Sequence, residues 1–346
     1  MSEATQSVLE CFGLREQPFA PTADPAYFHA TPGHGECLFR LWTSIDERQG
    51  IAVVLGDYGS GKTTVLRKLL ADMMDSGGAY QTALVDSPLP TWSSLDMLAH
   101  VSWRMGVTSQ GSDYSDYMEA LHKHLLDNRE QINTLIIDDA QNLNKRGQLE
   151  LLRLAQNLET AHHKLLNIVL FAQLEWAEAL DAVPNFKQRI NVLYRLRPFT
   201  LDETRALIEH RLEQAGGGAG EPVFTENAIR LIHAFGEGSP RWTITLCRNG
   251  LLTAAHLGVR QVDADIVLHT IDRTTSPDDE IRRRLEVFLA EQSAAEGSAA
   301  SPFPHTPDGE DKGPSGTDGS YEDQANELLR RVARERGQRR PGGGGG

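Results

Sequence analysis

Gly56-Asp57-Tyr58-Gly59-Ser60-Gly61-Lys62-Thr63 follows directly on the apolar run Ile51-Ala52-Val53-Val54-Leu55. The run reads as a short buried strand, and Val65-Leu66-Arg67-Lys68-Leu69-Leu70 continues as a helix. Strand, glycine loop and helix in that order are the context a phosphate-binding loop requires. Gly56, Gly59 and Gly61 let the backbone take conformations a Cβ forbids, so successive N–H groups can turn inward around phosphate oxygens. The helix points its N-terminus, with its free N–H groups, at the same oxygens. Lys62 is then expected to reach the β- and γ-phosphates of a nucleotide, and the Thr63 hydroxyl to join Mg²⁺. The nucleotide-contacting set runs from Gly56, Asp57, Tyr58, Gly59, Ser60 and Gly61 through Lys62, Thr63 and Thr64.

Downstream, Leu135-Ile136-Ile137-Asp138-Asp139-Ala140-Gln141 is an apolar strand ending in an acidic pair. Asp138 suits the Mg²⁺ shell, and Asp139 suits orientation and deprotonation of an attacking water. Leu166 to Phe171 is another buried strand with Gln173 just past its end, and Tyr80 to Val85 and Val192 to Leu196 read as two more. Helical stretches at about 93–130, 147–163 and 174–190 separate these strands. Such alternation means a parallel sheet with helices on both faces, an α/β fold whose ligands lie beyond the C-terminal strand ends. The Gly56–Thr63 loop, Asp138 and Gln173 all fall there.

The segments around this sheet are less regular. Residues 1–50 read as an irregular strap, with Phe12, Phe19 and Phe28 beside turn formers, followed by one helix from Cys37 to Ile45. This strap and helix are expected to pack on the nucleotide domain, 51–198. The strap could cover a nucleotide base, although core packing accounts equally for Phe12 and Phe19. Pro198 marks a boundary, and 199–275 reads as a small all-helical lid. Its helix starts include Thr200-Leu201-Asp202-Glu203 and Gly238-Ser239-Pro240-Arg241, the latter with Ser239 as cap and Pro240 at the first helical position. Residues 276–346 carry a Ser-, Gly- and Pro-rich stretch expected to be disordered, with one short basic helix at 321–338.

Bulk composition narrows the function classes. The 346 residues contain 40% hydrophobic side chains, enough for a sizeable core, and no apolar run approaches a membrane span. A soluble, cytoplasmic protein is expected. The net charge of −14 does not favour DNA as a partner, although lysines and arginines in loops could still form a stripe. The three cysteines have no metal spacing, and His122 and His124 sit on different helix faces.

Taken together, these motifs resemble the AAA+ ATPases of the ExeA/GspA type (general secretion pathway protein A). That group is in turn similar to the transposition helper ATPases of the TniB, TnsC and MuB kind. The resemblance spans about residues 8 to 273. It rests on Phe12-Gly13-Leu14 with Pro18-Phe19, the glycine loop, Asp138-Asp139-Ala140-Gln141, Gln188-Arg189-Ile190, Leu196-Arg197-Pro198-Phe199 and Gly238-Ser239-Pro240-Arg241. It implies a P-loop ATPase that binds ATP with Mg²⁺, works as a homo-oligomer and controls an unidentified protein partner. It also implies that Gln173 senses the γ-phosphate, that Arg241 joins the nucleotide-binding set and reports the γ-phosphate to the lid, and that Arg189 is an arginine finger reaching a neighbouring subunit's nucleotide. The catalytic set is thus Asp139, Lys62, Gln173, Arg189 and Arg241. Two departures stand out. Asp139 occupies the place of the usual Glu, which predicts slow hydrolysis or an adaptor that binds without turning over. A polar tail follows where that group carries a membrane helix and a cell-wall-binding domain. ATP-dependent DNA binding of the transposition type is the alternative reading.

Overall fold

The computed structural model describes residues 3–108, 111–143, 145–217 and 221–274. The expected tail and its short helix lie outside them. In chain order the elements are α1 (Glu3–Phe12), α2 (Pro32–Asp46), β1 (Ile51–Leu55), α3 (Lys62–Met74), β2 (Tyr80–Val85), α4 (Ser94–Arg104), α5 (Tyr114–Asp127), β3 (Ile132–Ile137), α6 (Arg146–Gln156), β4 (Asn167–Ala172), α7 (Trp176–Asp181), α8 (Pro184–Lys187), β5 (Ile190–Arg195), α9 (Leu201–Gln214), α10 (Glu226–Gly236), α11 (Pro240–Leu257) and α12 (Ala264–Thr274). They fall into two units. One comprises residues 16–216 and 236–245. The other comprises the described parts of 1–15, 217–235 and 246–274.

The larger unit is built on a five-stranded sheet in the order β2-β3-β4-β1-β5, and every pairing is parallel. Alternation along the strands sorts the core, because successive side chains leave a strand on opposite faces. Ile51, Val53 and Leu55 of β1 join Ile168, Leu170 and Ala172 of β4 in the cluster beneath α4, α5 and α6. Ala52 and Val54, with Val169 and Phe171, join the cluster beneath α2 and α3. Both faces are covered, so β1, β4 and all of β3 but its first residue are buried throughout. This is why these strands read as unbroken apolar runs.

Several boundaries differ from the sequence reading. α2 begins at Pro32 rather than Cys37, because the Thr31 hydroxyl caps it, accepting the His34 N–H at 3.3 Å. The helical stretch at 93–130 breaks into α4 and α5 around Gly106, whose φ of +77° ends the first helix. The stretch at 147–163 stops at Gln156. Beyond it Glu159 pairs with Lys164 in an antiparallel bridge that returns the chain to β4.

In the second unit, Phe224 and Val262 form a parallel bridge, with the Thr225 N–H donating to the Val262 carbonyl at 3.0 Å. The Cys11 thiol at the end of α1 donates to the Val259 carbonyl at 3.4 Å. Residues 1–15 therefore group with the C-terminal helices, and α2 with the sheet.

Candidate functional site

Three neighbouring strands, β3, β4 and β1, deliver Asp138, Gln173 and the glycine loop to one edge of the sheet. The loop leaves β1 with the Gly56 N–H donating to the Ala172 carbonyl of β4 at 3.2 Å. Gly59 and Gly61 have φ of +81° and +92°, in the left-handed region that L side chains resist. A Cβ on Gly59 would also stand 2.9 Å from Arg241 Cβ, and one on Gly61 would stand 2.6 Å from His34 Nε2. The cradle is thus closed to any larger residue at either place.

Lys62 is buried, and its ammonium donates to the Gly56 and Asp57 carbonyls at 2.7 and 2.8 Å. Burial pushes its pKa down, opposed by the carboxylates of Asp138, Asp139, Asp57 and Glu175. The Thr63 hydroxyl donates to Asp138 Oδ2 at 3.0 Å, which brings the two expected Mg²⁺ ligands into contact. Burial raises the Asp138 carboxyl above its ordinary value, while that hydroxyl and the Asp139 N–H pull it back. A hard hydroxyl and a hard carboxylate oxygen, side by side at a helix N-terminus, fit Mg²⁺, which takes one or two carboxylates and completes its shell with phosphate and water. Among the described residues no group of three His, Cys, Asp or Glu gathers to hold a metal without such help.

Asp139 has φ +50° and ψ +40°. Its carboxylate accepts the Ser87 hydroxyl at 2.5 Å and the Gln141 side-chain amide at 3.0 Å. The Gln141 Oε1 in turn accepts the Gln173 backbone N–H at 3.2 Å. Asp139 and the end of β4 are therefore bridged through one side chain. Ser87 ends the turn after β2 and escaped the sequence reading, since Asp86-Ser87-Pro88 signals only a chain reversal.

Arg241 lies in the first turn of α11. Its N–H donates to the Gly59 carbonyl at 3.3 Å, and its guanidinium stands 4.5 Å from the centre of the exposed Tyr58 ring. The Ser239 hydroxyl reaches the same carbonyl at 3.4 Å. Beside the start of α3, Tyr27, Phe28, His29, His34, Thr64, Leu207 and Arg211 line an open hollow. Arg211 is anchored there by donation to the Pro18 carbonyl at 2.8 Å and by stacking on Tyr27. Phe19 is fully buried.

Arg189 stands apart. It is exposed at the start of β5, whose first residue, Ile190, is level with Ile51 at the start of β1. The glycine loop lies beyond the far end of β1, about 17 Å away at a strand's rise per residue. Arg189 and the loop of its own chain are at opposite edges of the sheet.

Residues 45–180 match the family model described as AAA domain. Over 256 residues the chain is 30% identical to general secretion pathway protein A of Aeromonas hydrophila, a match covering 72% of this chain and 45% of that protein. It is 24% identical over 251 residues to an uncharacterized HTH-type transcriptional regulator of Methanocaldococcus jannaschii, covering 62% of this chain and 61% of the relative. The chain thus spans less than two thirds of either relative. Among solved structures, Cdc6p from Pyrobaculum aerophilum superposes with a TM-score of 0.60 at 18% identity, covering 76% of this chain and 72% of that one. The Aeropyrum pernix ORC2 protein gives 0.55 at 17% identity, with the same two coverages. These structures share the fold. Residues 45–180 thus carry an AAA domain in the P-loop AAA+ fold, and the chain is related to general secretion pathway protein A.

Proposed function

We propose that this protein binds Mg-ATP in the Gly56–Thr63 cradle, hydrolyses it at sites completed by a second copy of the chain, and uses nucleotide state to control a protein partner. The contact between the Thr63 hydroxyl and Asp138 at 3.0 Å, directly beside a glycine cradle and a buried lysine, carries this reading. In it, loop amides and the N-terminus of α3 hold the phosphates. Lys62 exchanges its two loop carbonyls for phosphate oxygens, which suits a flexible point-charge donor. Thr63 and Asp138 hold Mg²⁺, which neutralises phosphate charge when bound.

Asp139 is the base that orients and deprotonates water, and Ser87 and Gln141 fix where its carboxylate points. Gln173 lies next to this network, where a polar group can register the γ-phosphate. Arg241 couples the loop to α11 through its N–H and its contact with Tyr58. The hollow edged by Tyr27, Thr64 and Arg211 takes the base. Arg189, too distant from its own loop, serves a neighbouring copy.

ATP turnover measured against protein concentration tests this. Lys62→Ala should abolish turnover, and Arg189→Ala should bind ATP yet not turn it over. Normal turnover by Arg189→Ala would remove the shared-site claim.

A further inference from the structure

His34, near the start of α2, is 5% exposed, and its ring meets the glycine loop. Nε2 stands 3.1 Å from the Ser60 carbonyl oxygen. A carbonyl only accepts, so Nε2 carries a proton and donates. Nδ1 stands 2.9 Å from the Thr31 hydroxyl, which serves as its donor in the neutral ring. Edge-on contacts with Phe28 and Phe199, at 6.3 and 5.1 Å between centroids, fix the ring's tilt.

The consequence follows from peptide geometry. In a trans peptide the C=O and the following N–H point in opposite directions. The Ser60 carbonyl and the Gly61 N–H share one such plane. Holding the carbonyl outward on His34 therefore holds the Gly61 N–H inward, toward the phosphates. Without that hold the plane is free to turn, because Gly61 tolerates either sign of φ. The other loop carbonyls that accept hydrogen bonds have different partners: Gly56 and Asp57 take Lys62, Asp57 also takes the Ser60 N–H, and Gly59 takes the Arg241 N–H. Only the Ser60–Gly61 plane is set by a rigid buried ring.

We infer that His34 is a positioning residue for phosphate binding, its Nε2–H fixing the Ser60–Gly61 peptide in the orientation that presents the Gly61 amide to the nucleotide. This rests on the Mg-ATP reading above. It predicts a split between substitutions: Gln keeps a donor at the ε position, whereas Asn keeps one only at the δ position, toward Thr31.

The test uses the full chain and competition against a fluorescent ATP analogue, with ATP, ADP and adenosine as competitors. Unfolding midpoints without nucleotide verify folding. His34→Ala and His34→Asn should weaken ATP and ADP by about threefold to tenfold, the range one buried hydrogen bond supports, and His34→Gln should restore most of it. Adenosine, which has no phosphate, should lose less than ATP in every variant. Equal affinity for ATP in wild type and His34→Ala overturns the inference, as does an equal loss for ATP and adenosine. So does a Gln variant no better than Asn. Should the wild type itself fail to bind ATP, the Mg-ATP reading falls first and takes the inference with it.

Discussion

Asp139 shows how much one residue's backbone can decide. Its left-handed conformation suits a short polar side chain, and from there the carboxylate meets Ser87 and Gln141. On the proposed role, Asp139→Asn should leave Mg-ATP binding within about twofold while lowering single-turnover hydrolysis by about 10²–10⁴-fold, the usual worth of a general base. Calorimetry beside a rapid-quench trace measures both. The acidic pair itself was legible, because Asp138 and Asp139 follow an apolar run without interruption. Ser87 and His34 were not. Their roles come from bonds spanning 52 and 26 residues of sequence, and neither changes the local pattern. Thr31-Pro32 did carry a signal, a capping residue before a first-position proline, that starts α2 early enough to include His34.

Elements are held to the sheet by turns with little tolerance. Gly238, with φ +71°, precedes α11, and a Cβ there would stand 2.2 Å from the Phe199 carbonyl oxygen. Gly238→Ala should cost about 1–3 kcal/mol, read as a lowered urea midpoint. At the start of α9, Glu203 accepts both Arg197 Nη1 and Nη2 at 2.7 Å and the Thr200 N–H at 2.8 Å. Burial pushes the Glu203 carboxyl up, but these bonds outweigh it and leave the pKa below its ordinary 4.5. A lowered folded-state value means stability that is complete above 4.5 and lost as pH falls through the folded value. Wild type should therefore exceed Glu203→Gln by about 1 kcal/mol at pH 7, allowing for solvent around Arg197, and the gap should close in acid. Urea titrations of both proteins at several pH values measure it. The Thr200 helix start was legible as a capping signal. The break between α4 and α5 was not, since apolar residues continue at helical spacing up to Gly106.

At the scale of the whole molecule, parallel pairing places Arg189 and the glycine loop at opposite ends of neighbouring strands. A finger on this residue can act only on another copy. Mixing two inactive variants should therefore restore turnover, because Lys62→Ala supplies an intact Arg189 to the loop of Arg189→Ala. A mixture as inactive as its parts would exclude sharing between copies. The sheet order was only partly readable: alternation of strands and helices gives parallel pairing, but not that β4 lies between β3 and β1. That insertion brings Gln173 beside Asp138 and the loop. The association of residues 1–15 with 246–274 joins the two ends of the described chain, which no local periodicity records.

The central claim is a triphosphate seated in the cradle of Gly56, Gly59 and Gly61 with Mg²⁺ on Thr63 and Asp138. Calorimetric titration of ATP into the full chain, with and without Mg²⁺, tests it most directly. One ATP per chain should bind, more tightly with Mg²⁺, and Lys62→Ala should lose the signal while keeping the wild-type unfolding midpoint. ATP binding of equal strength in Lys62→Ala, or none in the wild type, would contradict the account.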